Sequence, residues 1–366
     1  MNPSAIQRGS EALVHVNIDL ADLSNGCLLT AVLLYALGML AYACDFAFAK
    51  QRLLAGTAPA RVPELVGAAA AAGTVGAVPG GAAAGSGVAA GGPAGPAEPA
   101  ALASLAARPR WPAGFWLRTA FGLTCVGLFA QITAIAARGL SEHRVPWGNM
   151  YEFIAAITCM AVIVLVAASV RFGAYYIGLF VLIPVVLALA LDVTLIYTPA
   201  GALVPALQSY WIAIHVTTMI VAIGLYTVGA VVTVLYLIAD RHGRRAAAGL
   251  PSRPAGIIAQ LPRPVVLDRL AYRSILFAFP VWTFGVMAGA IWADHAWGRY
   301  WGWDPKETWS FITWVVYACF LHARATAGWR GRKAAYIQLV GYVCLLFNVI
   351  GINLWVTGLH SYAGVG

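Results

Sequence analysis

Runs of about twenty mainly apolar residues recur along most of the chain, and they restrict its fold more than any other feature. The sequence is 61% hydrophobic and only 10% charged, whereas a water-soluble domain carries about 25% charged residues. Because hydrocarbon offers the backbone no hydrogen-bond partners, the segments that cross it must be helices or strands of a closed barrel. The runs are continuous rather than alternating, which predicts an all-α polytopic membrane protein.

We expect about eight transmembrane helices of roughly 20 residues each. The predicted spans are 27–48, 115–137, 151–170, 173–195, 210–238, 272–293, 309–326 and 334–356.

The basic residues predict the orientation of these helices. With the N-terminus placed outside, 18 of the 23 Lys and Arg residues fall in inner segments. The other five are Arg8, Arg138, Arg144, Arg299 and Lys306. Since cytoplasmic loops are enriched in Lys and Arg, both termini are expected on the outer side. The same asymmetry accounts for the net charge of +9, so nucleic acid is not expected as a partner.

A low-complexity segment divides the chain into three parts. Residues 1–56 contain the first predicted helix, and residues 57–110 are mostly Ala, Gly and Pro. Such a composition buries too little apolar surface to offset its conformational entropy, so we expect 57–110 to be a flexible cytoplasmic linker. Residues 111–366 then form a seven-helix membrane domain.

Tryptophan is concentrated in one predicted outer loop, residues 292–309. An aromatic belt at the lipid boundary explains Trp309 and Trp314, and it is one interpretation of Trp292. It does not explain Trp297, Trp301 and Trp303, which alternate with glycines that allow the backbone to approach a ligand. Flat rings with glycine gaps favour a large planar apolar ligand.

Two histidines lie at predicted outer helix ends near this loop. His215 is at the start of the fifth span, and His360 follows the eighth. Either histidine alone is typical of an interfacial or packed residue. Haem iron is usually held by histidine, so the pair beside an aromatic loop predicts axial ligation of haem.

His322 has a different predicted position. It lies 18 residues beyond Asp304, which corresponds to roughly 27 Å along a helix. An ionisable residue at that depth favours a functional role. The alternative is an inner-boundary histidine that reaches water beside Arg324.

Three polar residues of the outer loop also have two interpretations. Arg299 and Lys306 either pair with the propionates of a haem or are ordinary solvated charges. His295 has either a local role in the loop or a part in hydrating it.

The loop contains a recognisable motif. Residues 297–309, Trp-Gly-Arg-Tyr-Trp-Gly-Trp-Asp-Pro-Lys-Glu-Thr-Trp, resemble the WWD signature of haem-handling membrane proteins, a family that includes CcmC, CcmF and CcsA, also called ResC. Three further stretches, 145–153, 267–273 and 353–363, resemble the CcsA type. The resemblance covers 115–366 well and the first helix weakly.

The resemblance implies a haem lyase, or synthetase, of cytochrome c maturation. Proteins of the CcsA type work with a second membrane protein, CcsB (ResB). Together they deliver haem b to the outer face and attach it through thioether bonds to the CxxCH segment of apocytochrome c. The implied location is the bacterial cytoplasmic (inner) membrane, with the haem site on the periplasmic face.

The resemblance also implies roles for individual residues. His215 and His360 match the two outer axial ligands, and His322 matches a haem-binding histidine within the membrane. The residues implied to line the outer site are Trp297, Trp301, Trp303 and Asp304. The sequence departs from the family pattern at Asp294-His295 and in the long Ala/Gly linker.

Two other functions compete with the lyase. A haem transporter or chaperone would export haem without attaching it, but a histidine after the eighth span favours the lyase type. A quinol-linked cytochrome b would place histidine pairs within the membrane, whereas His322 alone is predicted at that depth.

Overall fold

The computed structural model describes residues 16–56, 112, 114–201, 207–250 and 258–360. Within them every regular element is helical. The elements are α1 (Ile18–Gly56), α2 (Phe115–Glu142), α3 (Met150–Phe172), α4 (Gly178–Leu195), α5 (Tyr210–Ala247), α6 (Pro264–Trp297), α7 (Pro305–Ala325), α8 (Arg332–Leu346), a π-helical turn (Phe347–Gly351) and α9 (Ile352–Trp355). Short 3₁₀ turns, Tyr175–Ile177 and Ile258–Gln260, precede α4 and α6. The predicted linker at 57–110 lies outside the described residues.

The chain is a multi-pass membrane protein. Among the described residues, seven helical segments are long and apolar enough to cross a membrane: α1 to α6, and the continuous segment Arg332–Trp355. The prediction had eight spans. The remaining segment, α7, is present as a helix, but it carries four charged or ionisable residues: Lys306, Glu307, His322 and Arg324.

Several helices are longer than the predicted spans. α1 begins at Ile18 instead of 27, and α5 continues to Ala247 instead of 238. A helix does not have to stop where the hydrocarbon stops, because polar side chains support it in water. In α5 the exposed pair Arg244–Asp240, spaced by four residues, supports the helix, with 2.9 Å between Nε and Oδ2.

The tryptophan loop is shorter than predicted. α6 continues through Trp297 and ends at Gly298, whose φ of 70° gives the left-handed conformation common after a helix. α7 then begins at Pro305. The loop therefore comprises only 298–304, and Trp292 belongs to a helix.

Two groups of buried side chains hold the helices together. The first comes mainly from α1–α4 and includes Tyr35 and Leu165, and the second comes from α5–α8 and includes Tyr226 and Trp282. Polar bonds cross the first group. The Tyr35 hydroxyl donates to Oε1 of Gln131 at 2.7 Å, and Nε2 of Gln131 donates to the Ala155 carbonyl at 2.9 Å. Such bonds join helices in lipid, where packing alone is a weak driving force.

Successive helices run in alternating directions, so their ends gather at two ends of the bundle. The backbone N–H of Asn17, before α1, donates to the Ser141 carbonyl at the end of α2. At the opposite end, Arg324 near the end of α7 forms two bonds of 2.8 and 2.9 Å to Asp268 near the start of α6. We call the end with Asn17 and the start of α7 the site end.

Candidate functional site

A cavity opens at the site end between the first turns of α3, α5 and α7 and the last turns of α6. Its empty volume, including the part open to solvent, is about 1080 Å³, near the upper limit of about 1,000 Å³ for typical ligand pockets. Aromatic rings form much of its wall: Trp147, Phe153, Trp282, Trp292, Trp297, Tyr300 and Trp301. Such walls suit a planar apolar ligand.

His215, in the second turn of α5, lies on this cavity wall. Its Nδ1 donates a hydrogen bond of 2.7 Å to the Gly285 carbonyl of α6. Nε2 has no hydrogen-bond partner among the described residues, and in this tautomer it carries the lone pair. A histidine that ligates a metal through one ring nitrogen typically donates from the other.

Gly289 of α6 makes room for this histidine. Gly285 and Gly289 are spaced as in a GxxxG motif, which allows helices to approach closely. A Cβ at 289 would lie 2.7 Å from both Nδ1 and Cε1 of His215. The imidazole therefore fills space that any other residue at 289 would occupy.

His360 lines the same cavity from the segment that follows α9. Its Nδ1 donates to Oδ1 of Asp304 at 2.8 Å, so iron binding by His360 uses Nε2. Burial lowers the pKa of His360 below its ordinary value, and the hydrogen bond to Asp304 only partly opposes this. The side chain is therefore a neutral imidazole at pH 7, the form that coordinates metals.

Asp304 holds the His360 segment against the first turn of α7. As the N-cap it accepts from the Lys306 N–H at 3.2 Å, and its Oδ2 accepts from the Leu359 N–H at 2.8 Å. Burial raises the pKa of Asp304, but the hydrogen bonds from His360 and these two amides outweigh it and lower the pKa to about 2. The carboxylate is therefore ionised and is the fixed partner of His360.

Trp292 contacts the rings of both histidines. Its ring is nearly parallel to that of His215, with centroids 6.0 Å apart and an angle of 11°, and meets the His360 ring edge-on at 5.7 Å. It is only 2% exposed. The assignment of Trp292 to a lipid-facing belt is therefore wrong, because α6 continues through it and turns it into the cavity.

The three tryptophans expected at the site have different positions. Trp297 and Trp301 line the cavity, and the Trp297 ring lies 5.1 Å from that of His360. Trp303 is not among the lining residues and is 66% exposed. It packs edge-on against Trp301 and has a φ of 58°, a left-handed conformation that is strained for a bulky side chain.

His322 lies away from the cavity. It is exposed near the C-terminal end of α7, opposite the site end. The neighbouring Arg324 pairs with Asp268 and lies over the Tyr272 ring at 4.4 Å. His295 is also exposed, and its Nδ1 bonds to the Ile291 carbonyl of its own helix.

Four buried charges support the wall formed by the start of α3. Arg138 and Arg144 each pair with both Glu142 and Glu152, at 2.7 to 3.2 Å. Glu152 also accepts from the Gly148 N–H at 2.8 Å. Because Trp147, Gly148 and Asn149 line the cavity, this cluster fixes part of its shape.

Sequence reasoning missed Trp292, Gly289 and the Arg138 cluster. The Gly285–Gly289 spacing was a usable signal for close helix packing next to His215. The spacing of four between Arg138 and Glu142 was a signal for an ion pair. Nothing in the sequence indicated that Arg138 and Arg144 both pair with Glu152.

The family described as "Cytochrome C assembly protein" matches residues 147–360 of the chain. Those two limits, Trp147 and His360, both line the cavity. The chain belongs to this family. The match covers more than half of the chain and includes both histidines and the tryptophan loop.

Named relatives of the family identify its CcsA type. The "Cytochrome c biogenesis protein CcsA" of Gloeobacter violaceus is 33% identical over 306 residues, with 68% of this chain and 90% of the relative covered. The protein of the same name from Guillardia theta is 33% identical over 258 residues, covering 66% and 84%. That of Chlamydomonas reinhardtii is 45% identical over 163 residues, covering 44% and 43%. The chain is thus a CcsA-type membrane protein of cytochrome c biogenesis.

The residues of the cavity fit a haem. Haem iron has two axial positions that protein side chains can occupy, and His215 and His360 each present a ring held at Nδ1. Two such imidazoles on an aromatic wall are a set of residues compatible with a haem.

Proposed function

We propose that this CcsA-type protein binds haem b as a substrate between His215 and His360 and, with a CcsB (ResB)-type partner, attaches it to apocytochrome c. The observation that carries the proposal is the pair of histidines on one aromatic cavity, each fixed at Nδ1. The protein then acts as a cytochrome c haem lyase.

We assign the site end to the periplasmic face of the bacterial cytoplasmic membrane. Of the described basic residues, only Arg138, Arg144, Arg299 and Lys306 lie at that end, and the others lie on inner segments or at inner helix ends. The positive-inside rule supports this orientation.

A partner protein has a role at the opposite end. His322 is exposed on α7 and has no second deep histidine nearby on its own helix. We infer that it binds haem on the transfer path with a second ligand from the CcsB-type protein. The exposed position of His322 is compatible with such a shared site.

Catalysis in this proposal depends mainly on positioning. Each thiol of the CxxCH segment adds across one vinyl group: sulfur bonds to the carbon next to the ring, and the proton goes to the terminal carbon. The addition consumes no oxidant or reductant. The protein's residues hold the ring, exclude competing orientations and present its vinyl edge to the two cysteines.

We infer that the histidine of CxxCH replaces His360 rather than His215. His215 lies within a 38-residue helix and donates to the carbonyl of a packed neighbour. His360 lies outside any helix, and its Nδ1 bond to Asp304 can persist when Nε2 leaves the iron. A ligand on a short non-helical segment moves at a smaller energetic cost than one inside a packed helix.

Absorption spectra and covalent cytochrome c formation test the proposal together. The full chain is expressed with its CcsB-type partner and an apocytochrome c, as wild type and as His215→Ala, His360→Ala and His322→Ala. We expect wild type to show low-spin haem and covalent cytochrome c, and the two site-end variants to lose both. Exported but unattached haem in wild type would instead indicate a transporter or chaperone. Normal spectra and normal cytochrome c in both site-end variants would refute the assignment.

A further inference from the structure

Lys306 faces the same cavity as the two histidines. It lies in the first turn of α7, two residues after the Asp304 N-cap. The cavity wall is otherwise mainly aromatic and aliphatic. Lys306 is half-buried, and an ammonium group partly removed from water is more favourable with an anion beside it.

The two nearby carboxylates have hydrogen-bond partners of their own, although Oε1 of Glu307 is buried without one. Asp304 accepts hydrogen bonds from Nδ1 of His360 and from the backbone N–H groups of Leu359 and Lys306. Oε2 of Glu307 accepts from the backbone N–H groups of Gly302 at 2.8 Å and of Asp304 at 3.0 Å. Among the described residues, no carboxylate oxygen lies within the 4 Å of an ion pair with the Lys306 ammonium.

Two polar side chains extend the surface around Lys306 on the same wall. Ser310 follows Lys306 by four residues, so the two share one face of α7. Nδ2 of Asn348, in the π-helical turn, donates to the Ser310 hydroxyl at 2.9 Å. All three residues line the cavity.

Asn348 itself has an unsatisfied group. It is 6% exposed, and its Oδ1 has no hydrogen-bond partner. Exchanging the two ends of the amide would allow Oδ1 to accept from the Ser310 hydroxyl. Nδ2 would then be a donor available to an acceptor in the cavity, and the two orientations of an amide are equivalent in shape.

Arg299, the other basic residue of the loop, is directed elsewhere. Its guanidinium occupies the space beside Gly302 where a side chain would otherwise lie. NH1 lies 3.8 Å from Oε2 of Glu307. Arg299 does not line the cavity and therefore stabilises the loop rather than the ligand.

We propose that Lys306, supported by Ser310 and Asn348, binds a propionate carboxylate of the haem. This proposal rests on the proposed haem site and adds the contact that fixes the rotation of the haem ring within its own plane. Propionates and vinyl groups lie on opposite edges of haem b. An anchor at Lys306 therefore directs the vinyl groups to the far side of the cavity, where the cysteines must approach.

The test compares haem with its dimethyl ester, in which both propionates are neutral. Haem-free full chain, co-purified with its CcsB-type partner, is titrated with each compound and followed by the Soret band. The variants are Lys306→Gln, Lys306→Arg and Lys333→Gln. Lys333 is exposed on the opposite end of the bundle and serves as the matched loss of one positive charge.

A charge-assisted hydrogen bond corresponds to at least about a tenfold preference for haem over the ester. We expect wild type, Lys306→Arg and Lys333→Gln to show this preference and Lys306→Gln to lose it, with a low-spin spectrum throughout. Equal binding of haem and ester by wild type, or an undiminished preference in Lys306→Gln, would overturn the proposal while the histidine site stands. If wild type gives no low-spin spectrum that depends on His215 and His360, the haem site itself fails.

Discussion

The carboxylate of Asp304 accepts a hydrogen bond of 2.8 Å from Nδ1 of His360, although the two residues are 56 positions apart. The same carboxylate caps α7. Asp304 thus has two roles: it caps the start of α7, and it orients His360. Substitutions at 304 can separate the two.

Asp304→Asn and Asp304→Ala should differ. Asn is also a good N-cap, so Asp304→Asn loses only the contribution of the charge to the free energy of unfolding, whereas Asp304→Ala also loses the cap, which costs about a further 1 kcal/mol. Both variants remove the anionic partner of His360 and should weaken haem binding by about 10- to 100-fold. Thermal unfolding and Soret titration measure the two effects. Unchanged haem affinity in both variants would show that Asp304 does not orient His360.

Low pH should reduce the free energy of unfolding, because Asp304 becomes protonated. The folded-state pKa of Asp304 is lowered to about 2 from an ordinary 3.8. Its stabilising contribution is therefore complete above pH 3.8 and is lost as the pH falls from there towards 2. Thermal unfolding in detergent between pH 5 and pH 2.5 should show this loss in wild type and not in Asp304→Asn. Parallel curves for the two proteins would contradict it.

Gly289→Ala should displace His215, because the added Cβ would lie 2.7 Å from its ring. Overpacking of this kind costs about 1–3 kcal/mol, and we expect the low-spin haem spectrum to be lost. Gly122→Ala in α2 is the control, since no atom lies within 4 Å of a Cβ there. Low-spin haem in Gly289→Ala at the wild-type level would mean that the ring position is not required.

Glu152→Ala should destabilise the protein strongly, because it leaves Arg138 and Arg144 with too little negative charge in a buried site. Breaking one partner out of a buried ion pair costs about 3–5 kcal/mol. The matched control is Asp240→Ala, which removes the partner of the half-exposed Arg244 and should cost at most about 1 kcal/mol. Chemical unfolding of both variants gives the comparison, and equal losses would argue against a structural role for the cluster.

Trp303→Gly should show that the exposed Trp303 contributes less to haem binding than the tryptophans that line the cavity. Glycine adopts the φ of 58° without strain, so the free energy of unfolding should stay near wild type or rise by about 1 kcal/mol. Haem affinity should be unchanged, whereas Trp297→Ala should reduce it. A loss of haem in Trp303→Gly as large as that in Trp297→Ala would place Trp303 at the ligand after all.

Apolar runs were enough to predict the helices, because lipid leaves a backbone few alternatives. They did not give the helix ends, since α5 and α6 continue into water on charged and capping residues that hydropathy cannot distinguish from loop. α7 is a predicted span that the structure shows as a helix, but its mean hydropathy is too low for it to count among the apolar spans.

The histidines at the site were found from their places at helix ends, and the structure brings His215 and His360 to one cavity. The direction of individual rings was not predictable. Trp292 and Trp303 differ because one lies on the inner face of a helix and the other on a strained loop residue. The partners of Glu152 depend on three segments meeting in space, and no local pattern encodes that meeting.

His360, the second histidine of the cavity, lies after the last long helix. During synthesis, a chain that has inserted α5 and α6 already carries His215 and its glycine groove, but neither Asp304 nor His360 has yet emerged. Such a nascent or truncated product has half of a ligand pair and an open aromatic wall. Under the proposed function, both histidines of the haem site are therefore present only once translation has passed α9.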